Sequence, residues 1–337
     1  MKKKHRQKKP IKRALRRPFE WLGILLGMLI FSNLPHRGLF ALCDFVSAVM
    51  FRFDREGRAA ALFNLRVITG VYPPDRDFKA PHELPPSRRE TLILKRSYRN
   101  MARTIGHLFW TSRKAGARAQ SVAALDESCR RYLADYKPIV TVSGHLGCWE
   151  VLSQLVHLEG HKMMSVAKDI GTPAMTRLLM RSRKSIGQEI VPAEGAFRVL
   201  MQGLRDGYDL GLLVDQVVKP KEGGLWVRYF GRPMPVSAAP AFFAAKVKVP
   251  ILIAWSRPLK DGTYRCQFLD LIPPSEARDV WGCTQRCLND LARVVRRHPS
   301  CWVLNYRYFR KTPSEDELKQ LLEREAKARA AKGDETK

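Results

Sequence analysis

The sequence predicts an α/β fold, a mixed and largely parallel sheet flanked by helices, preceded by an N-terminal helical segment that associates with a membrane. Three observations carry this prediction. From Pro138 onward, short β-rich runs alternate with helical stretches, the pattern of a sheet whose crossovers are helices. The 337 residues are 45% hydrophobic and 27% charged, which supports a sizeable buried core and excludes wholesale disorder. A strongly basic head is followed directly by two apolar stretches. No repeat or heptad periodicity is present, so solenoid and fibrous classes drop out.

Residues 1–17, MKKKHRQKKPIKRALRR, hold ten Lys/Arg and no acid. The first apolar stretch, Trp21 to Leu34, has 14 residues and stops at Pro35; the second, Leu39 to Phe51, has 13 and is interrupted by Asp44. A full span needs roughly 20 residues, so neither is a clean transmembrane helix. Three roles compete for residues 18–51. A cleaved signal peptide is disfavoured because no small-residue cleavage site follows Leu34. A buried core helix and a membrane-anchoring or interfacial segment remain. The basic head favours the last, since each Lys/Arg near anionic lipid contributes about 1 kcal/mol. If the segment inserts, the basic flank keeps residues 1–17 cytoplasmic.

Residues 52–313 read as the main domain. Its first part, 52–135, is helical, basic and amphipathic, broken at Pro73–Pro74 and Pro85–Pro86. Strands are expected at 138–143, 163–167, 210–215, 226–230, 250–255 and 264–270. Helices are expected near 147–158, 173–184, 195–205, 237–247 and 276–297, the last capped by Ser275. The alternating aromatic and basic run Trp302–Arg310 reads as a further strand in the sheet. Residues 314–337 read as a charged, solvated helix that starts at Ser314 and frays.

The net charge is +28. The head accounts for ten of these charges, so the remaining 320 residues still carry +18. Such a field attracts nucleic acid, anionic membrane, or acidic carriers and substrates. The seven cysteines contain no Cys-x-x-Cys pair, which argues against a disulfide framework or zinc ribbon and for reduced thiols. Cys283 and Cys287, one helical turn apart, read as core. His157 and His161 are four apart, but Gly160 ends the helix between them, so shared metal ligation is not expected and no metal site is assigned.

The chemistry-bearing feature is the turn after the strand at 138–143, reading GHLGCWE. Gly144 and Gly147 let the chain turn and let a ligand approach the backbone. His145 leaves the strand and Glu150 lies five residues on. In a continuous helix that step separates side chains by ~140°, so the two meet only if His145 precedes the helix and Glu150 lies one turn inside it. A histidine oriented by a carboxylate is a general base, suited to take a proton from an alcohol or amine. No Gly-x-Ser-x-Gly elbow is present, so direct attack by the acceptor is expected rather than an acyl-enzyme. The plainer reading, His145 as a helix cap and Glu150 as a surface acid, stays open on pattern alone.

GHLGCWE resembles the His-x4-acid block of the glycerolipid acyltransferase superfamily. The closer likeness is to the lauroyl and myristoyl acyltransferases of lipid A biosynthesis, whose block usually reads HxGNWE. Later segments match in order: RSRKSIG (181–187), LRDGYDLGLLVDQ (204–216), the stretch 226–252 with its Phe-Gly-Arg, and HPSCWVLNYRYFRKTP (298–313). The likeness covers roughly residues 15–313. Cys148 stands where Asn is usual, and Val217-Val218-Lys219 replaces the usual acidic and glycine residues.

The resemblance implies a glycerolipid-acyltransferase-like fold and acyl transfer from acyl carrier protein or coenzyme A to a hydroxyl of a lipid A precursor. The donor is a co-substrate; no bound cofactor is implied. His145 takes the hydroxyl proton and Glu150 orients it. Arg183, with Arg181 as its near alternative, supplies donors to the oxyanion. Asp215 and Gln216 position the substrate or the motif loop, and Gly231 and Arg232 meet phosphate or glycan. The implied location is the cytoplasmic face of a bacterial inner membrane, against an anionic lipid surface. Mannoside acyltransferases share the blocks, so another phospholipid or glycolipid acceptor is the main alternative. A basic, membrane-associated nucleic-acid-binding protein is the rival from another class, and the resemblance argues against any specific nucleic-acid partner.

Overall fold

The computed structural model describes residue 27 and residues 29–76, 85–111, 115–167 and 173–334. The basic head and half of the first apolar stretch lie outside the described residues. The second apolar stretch forms most of helix α1 (His36–Phe53). Its apolar residues divide between two faces. Leu39, Cys43 and Ser47, four apart, are buried, while Phe45, Val49 and Phe53, also four apart, are exposed by 66%, 41% and 75%. The core-helix role is therefore met by one face only. Asp44 accepts two 2.8 Å bonds from Arg103 of the long helix that packs on α1.

Asp54 starts helix α2 (Arg55–Ile68), accepting from the Gly57 amide at 2.8 Å and from the Tyr98 hydroxyl at 2.8 Å. That satisfies one of the orphan amides of a helix start. Helix α3 (Arg88–Thr111) follows the proline break and packs against α1, and α4 (Ala115–Val122) completes the helical layer. Among the described residues no helix is long and apolar enough to cross a membrane.

The rest is an α/β layer: β1 (Ala123–Leu125), α5 (Glu127–Asp135), β2 (Val140–Ser143), α6 (Trp149–Leu158), β3 (Met163–Ala167), α7 (Pro173–Ser185), β4 (Glu189–Pro192), α8 (Ala196–Arg205) and β5 (Asp209–Leu213). Then come the hairpin β6 (Gly224–Tyr229) and β7 (Arg232–Ser237), helix α9 (Ala239–Val247), β8 (Ile251–Pro258), β9 (Tyr264–Ile272), α10 (Val280–Arg297) and α11 (Glu315–Asp334). The seven-stranded sheet runs β1-β9-β8-β2-β5-β3-β4, parallel from β8 to β4, with β9 antiparallel to β8. The expected α/β sheet flanked by helices is thus present. Its centre is dry: Val140, Val142, Leu210, Ile251 and Ile253 are buried, and Phe243, Leu288 and Leu291 from α9 and α10 pack in the same core. Cys283 and Cys287 are buried with them.

Several elements differ from the sequence-based expectation. Strand β1 lies within the region read as wholly helical, and β4 and β7 occur where no strand was expected, being short or proline-bearing. The 226–230 run pairs only with β7, outside the main sheet. The cap of α10 is Asp279, accepting from the Gly282 amide at 3.0 Å, and not Ser275. Trp302–Arg310 is no strand. It meets the loop that follows β2 through one isolated bridge, Trp302 to Leu146, then turns so that Trp302 and Tyr308 stack at 3.9 Å. A flat strand would have set Phe309 on the face opposite Trp302, Tyr306 and Tyr308, whereas here Tyr308 contacts Trp302, Tyr306 and Phe309 alike. Helix α11 begins as expected, with Ser314 and Glu317 exchanging side chain-to-backbone bonds at its start. It is also anchored, by buried Leu321 and by Glu325 on Arg228 at 2.8 Å.

Candidate active site

Strands β2 and β5 are neighbours, with Ser143 paired to Leu213 at their ends. Their exits therefore run side by side, which places the 144–148 loop against residues 214–216. Parallel sheets put ligand sites at this end. Two glycines make the close approach possible. A Cβ on Gly144 would stand 3.0 Å from Asp215 Oδ2. Gly147 has φ +64°, and a Cβ there would fall 1.6 Å from the Ser256 carbonyl of β8. The loop is held from both sides: Cys148 N–H donates to Ser256 O at 3.3 Å, Gly147 N–H to Cys301 O at 2.8 Å, and Val303 N–H to His145 O at 3.1 Å.

His145 is fixed by Asp215. Its ring Nδ1 lies 2.7 Å from Oδ1, and its backbone N–H donates to Oδ2 at 2.8 Å. Trp302 Nε1 donates to the same Oδ2 at 2.8 Å. Burial alone would push the fully buried Asp215 carboxyl up, but the His145 ring and these donors hold it below the ordinary value. An ionised carboxylate only accepts, so Nδ1 carries the proton and Nε2 presents a lone pair. The His145 side chain is 20% exposed, its ring is met edge-on by Trp149 at 5.1 Å, and Gln216 Nε2 lies 3.2 Å from its Nε2.

Glu150 is not the group that orients His145. It sits in the first turn of α6, buried, and accepts from Arg183 Nη2 at 2.6 Å, Arg183 Nε at 3.2 Å and Trp149 Nε1 at 3.0 Å. The physical reason is topological: pairing of β2 with β5 brings Asp215 under the imidazole, while the start of α6 turns Glu150 to α7. Burial would lower the Arg183 pKa, but the Glu150 charge and bonds raise it, so the guanidinium stays charged. Among the described residues only two of its five N–H groups are taken, both by Glu150. Arg181, two positions earlier on α7 and so on its other side, is exposed.

The remaining candidates divide in two. Asp215 is wholly buried, so it holds the motif loop and cannot touch substrate. Gln216, half-buried, is beside the base. Gly231, φ +81°, is the exposed turn of the β6–β7 hairpin. Arg232 is 7% exposed; it donates to the Pro73 carbonyl at 3.0 Å and to the Arg76 carbonyl, and lies over the Phe63 and Phe309 rings. It secures the 73–76 loop, and the expected contact with phosphate or glycan gives way to these backbone bonds. Cys148 is fully buried and its thiol is pushed up by burial, so it is no nucleophile.

Trp302 and the Asp215–His145 pairing were not foreseen as such. The one available signal was Asp-Gln at a strand exit; nothing in the local pattern of Trp302 announces a bond to a residue 87 positions away. One residue beyond Gln216 a cleft of about 380 Å³ opens, lined by Val217, Lys219, Glu222, Arg310 and Lys311. A larger cavity, about 480 Å³, lies at the opposite end of the sheet, beside Lys137, Pro138 and Pro250, away from the base.

An imidazole oriented by a buried carboxylate, with its second nitrogen beside the Gln216 amide in a partly exposed side chain, and a charged guanidinium held by Glu150 at the start of the following helix, suit proton removal from a hydroxyl attacking a carbonyl. No curated protein matches the chain significantly. The family model described as bacterial lipid A biosynthesis acyltransferase matches residues 5–311. That match takes in the His145 loop, the Asp215 strand exit and the Trp302 clamp together, and with it the chain belongs to the bacterial lipid A biosynthesis acyltransferase family.

Proposed function

We propose that the protein moves a fatty acyl group from a thioester of acyl carrier protein or coenzyme A to a hydroxyl of a lipid A precursor, at the cytoplasmic face of a bacterial inner membrane. Family membership supports acyl transfer to lipid A. The observation that carries the mechanism is the 2.7 Å bond between His145 and Asp215, which leaves Nε2 as the proton acceptor. The acceptor O–H gives its proton to Nε2 as its oxygen bonds to the thioester carbon. The oxyanion collapses, the carbon–sulfur bond breaks, and the imidazolium returns the proton to the departing thiolate. Asp215 stabilises the imidazolium meanwhile. Arg183, aimed by Glu150, is the donor to the oxyanion. No resident cofactor or metal enters these steps.

A membrane location is supported by the α1–α3 pair. Phe45, Val49 and Phe53 of α1 and Arg88, Arg89, Lys95, Arg96 and Arg99 of α3 are exposed, and Arg99 reaches Asp44 at 3.5 Å across the helix contact. Apolar burial and attraction to anionic lipid are the two terms of interfacial binding. The acidic carrier, coenzyme A phosphates and phosphorylated lipid A all suit the +28 chain.

The test is transfer of a labelled acyl group to purified lipid A precursor, with lipid mass spectrometry of a deletion strain beside it. Loss of one acyl chain from lipid A on deletion is the expected result. Unchanged lipid A with an altered phospholipid or other glycolipid would reject the acceptor.

A further inference from the structure

We propose that the Gln216 amide is a place-holder for the acceptor hydroxyl: it covers the proton-accepting nitrogen of His145 in the free enzyme and is displaced when the acceptor binds. This rests on the reading of His145 as the base. With Nδ1–H committed to Asp215, Nε2 has one in-plane lone pair, and the Gln216 amide nitrogen sits 3.2 Å from it. A hydroxyl that is to give its proton to Nε2 needs the same position. The two donors compete for one site.

The surroundings fit a movable side chain on a fixed backbone. Asp215 and Val217, on either side of Gln216, are both buried, and Asp215 is pinned by three hydrogen bonds. Gln216 itself is half-buried, and the cleft lined by Val217, Lys219 and Arg310 begins at the next residue. An amide also suits both states of the base. Its NH2 donates to the neutral ring, and after rotation its oxygen accepts from the imidazolium. Gln216 is thus a positioning residue that keeps the base covered and oriented between turnovers. The charged groups around the ring are Asp215 and, beyond Trp149, the Glu150–Arg183 pair. None of these occupies Nε2 among the described residues.

The experiment labels the full chain, without substrate, with diethyl pyrocarbonate, which acylates a free imidazole nitrogen. Labelling of His145 is followed by peptide mass spectrometry from pH 5 to 9. His157, at the far end of α6, is the internal control for fold. Gln216→Ala is expected to speed His145 labelling several-fold and to lower the KM for the acceptor. Gln216→Glu is expected to slow labelling at neutral pH and raise its midpoint by about one unit, since a carboxylate beside the ring favours the imidazolium. Wild-type labelling rate and midpoint in both variants would overturn the place-holder. So would a raised acceptor KM with unchanged labelling, which would make Gln216 an ordinary substrate contact. Labelling requires no acyl transfer, so failure of the proposed function leaves this result readable.

Discussion

Two histidine–aspartate pairs lie at opposite ends of strand β5, and only one of them can do chemistry. At the exit, His145 meets Asp215 at 2.7 Å; at the start, His161 meets Asp209 at 2.6 Å. Both aspartates also accept a backbone amide, from His145 and from Ile139. The difference is the second ring nitrogen. His161 Nε2 faces the Leu133 carbonyl at 2.9 Å in a side chain with no exposure, so neither nitrogen is left to take a proton. His145 Nε2 faces a displaceable amide in a side chain that is 20% exposed. The same pair of residue types is a strut at one end and a base at the other. What decides is access to one nitrogen, which is why a histidine with a carboxylate partner is never by itself evidence of catalysis.

The largest expected effect separates the two pairs. His145→Ala should cut acyl transfer by ~10²–10⁴-fold, with a smaller loss of stability because Asp215 keeps the bonds from Trp302 and the residue 145 amide. His161→Ala should destabilise the fold by ~3–5 kcal/mol, because Asp209 is left buried without its partner, while activity per folded molecule holds. Steady-state kinetics beside urea titrations reads both, and equal loss of activity in the two variants would erase the distinction. Next, Asp215→Asn should lower activity by ~10²-fold or more and change the pH profile of turnover, since the tautomer of His145 is no longer imposed. An unaltered profile would return the orienting role to Glu150.

Glu150→Gln tests the reassignment from the other side. It should weaken transfer by releasing Arg183, yet leave the pH dependence of His145 labelling as in the wild type. A shifted dependence would put Glu150 back beside the imidazole. The smallest effect is on acid stability. Arg66 and its bonds hold the Glu90 carboxyl down to about 2. A carboxyl depressed on folding contributes stability above its ordinary value, and that contribution fades as pH falls through the folded value. Melting temperature against pH should therefore lose part of its acid slope, between about 4.5 and 2, in Glu90→Gln. The buried Asp290 works in the opposite sense. Burial and the neighbouring Asp270 push it up to about 6, so its contribution is lost as pH rises through that value. Asp290→Asn should flatten the slope on that side.

How far the sequence reads depends on the range of the interaction. The buried strand 138–143, the glycine turn and the helix after it are local. Their apolar run, their positive-φ glycine at 147 and their helix start need only neighbours in the chain, and the place of His145 at the strand exit was legible from them. Strand β4 was not, because four residues with a terminal proline carry too little periodicity. The bonds of Arg232 to the Pro73 and Arg76 carbonyls were not legible either, because they join residues more than 150 positions apart. Asp44 likewise looked like a break in an apolar segment, and it is half of the α1–α3 joint.

The chain order alone therefore determined the α/β class, the strand-to-helix turn that carries the base, and the excess of positive charge, since each follows from residues close together or from a simple count. Only the tertiary structure decided which carboxylate serves His145. That choice depends on β2 lying beside β5 and on Trp302 reaching back across 87 residues to Asp215. Pairing of distant strands is selected by the burial of the whole core, and no local pattern encodes it.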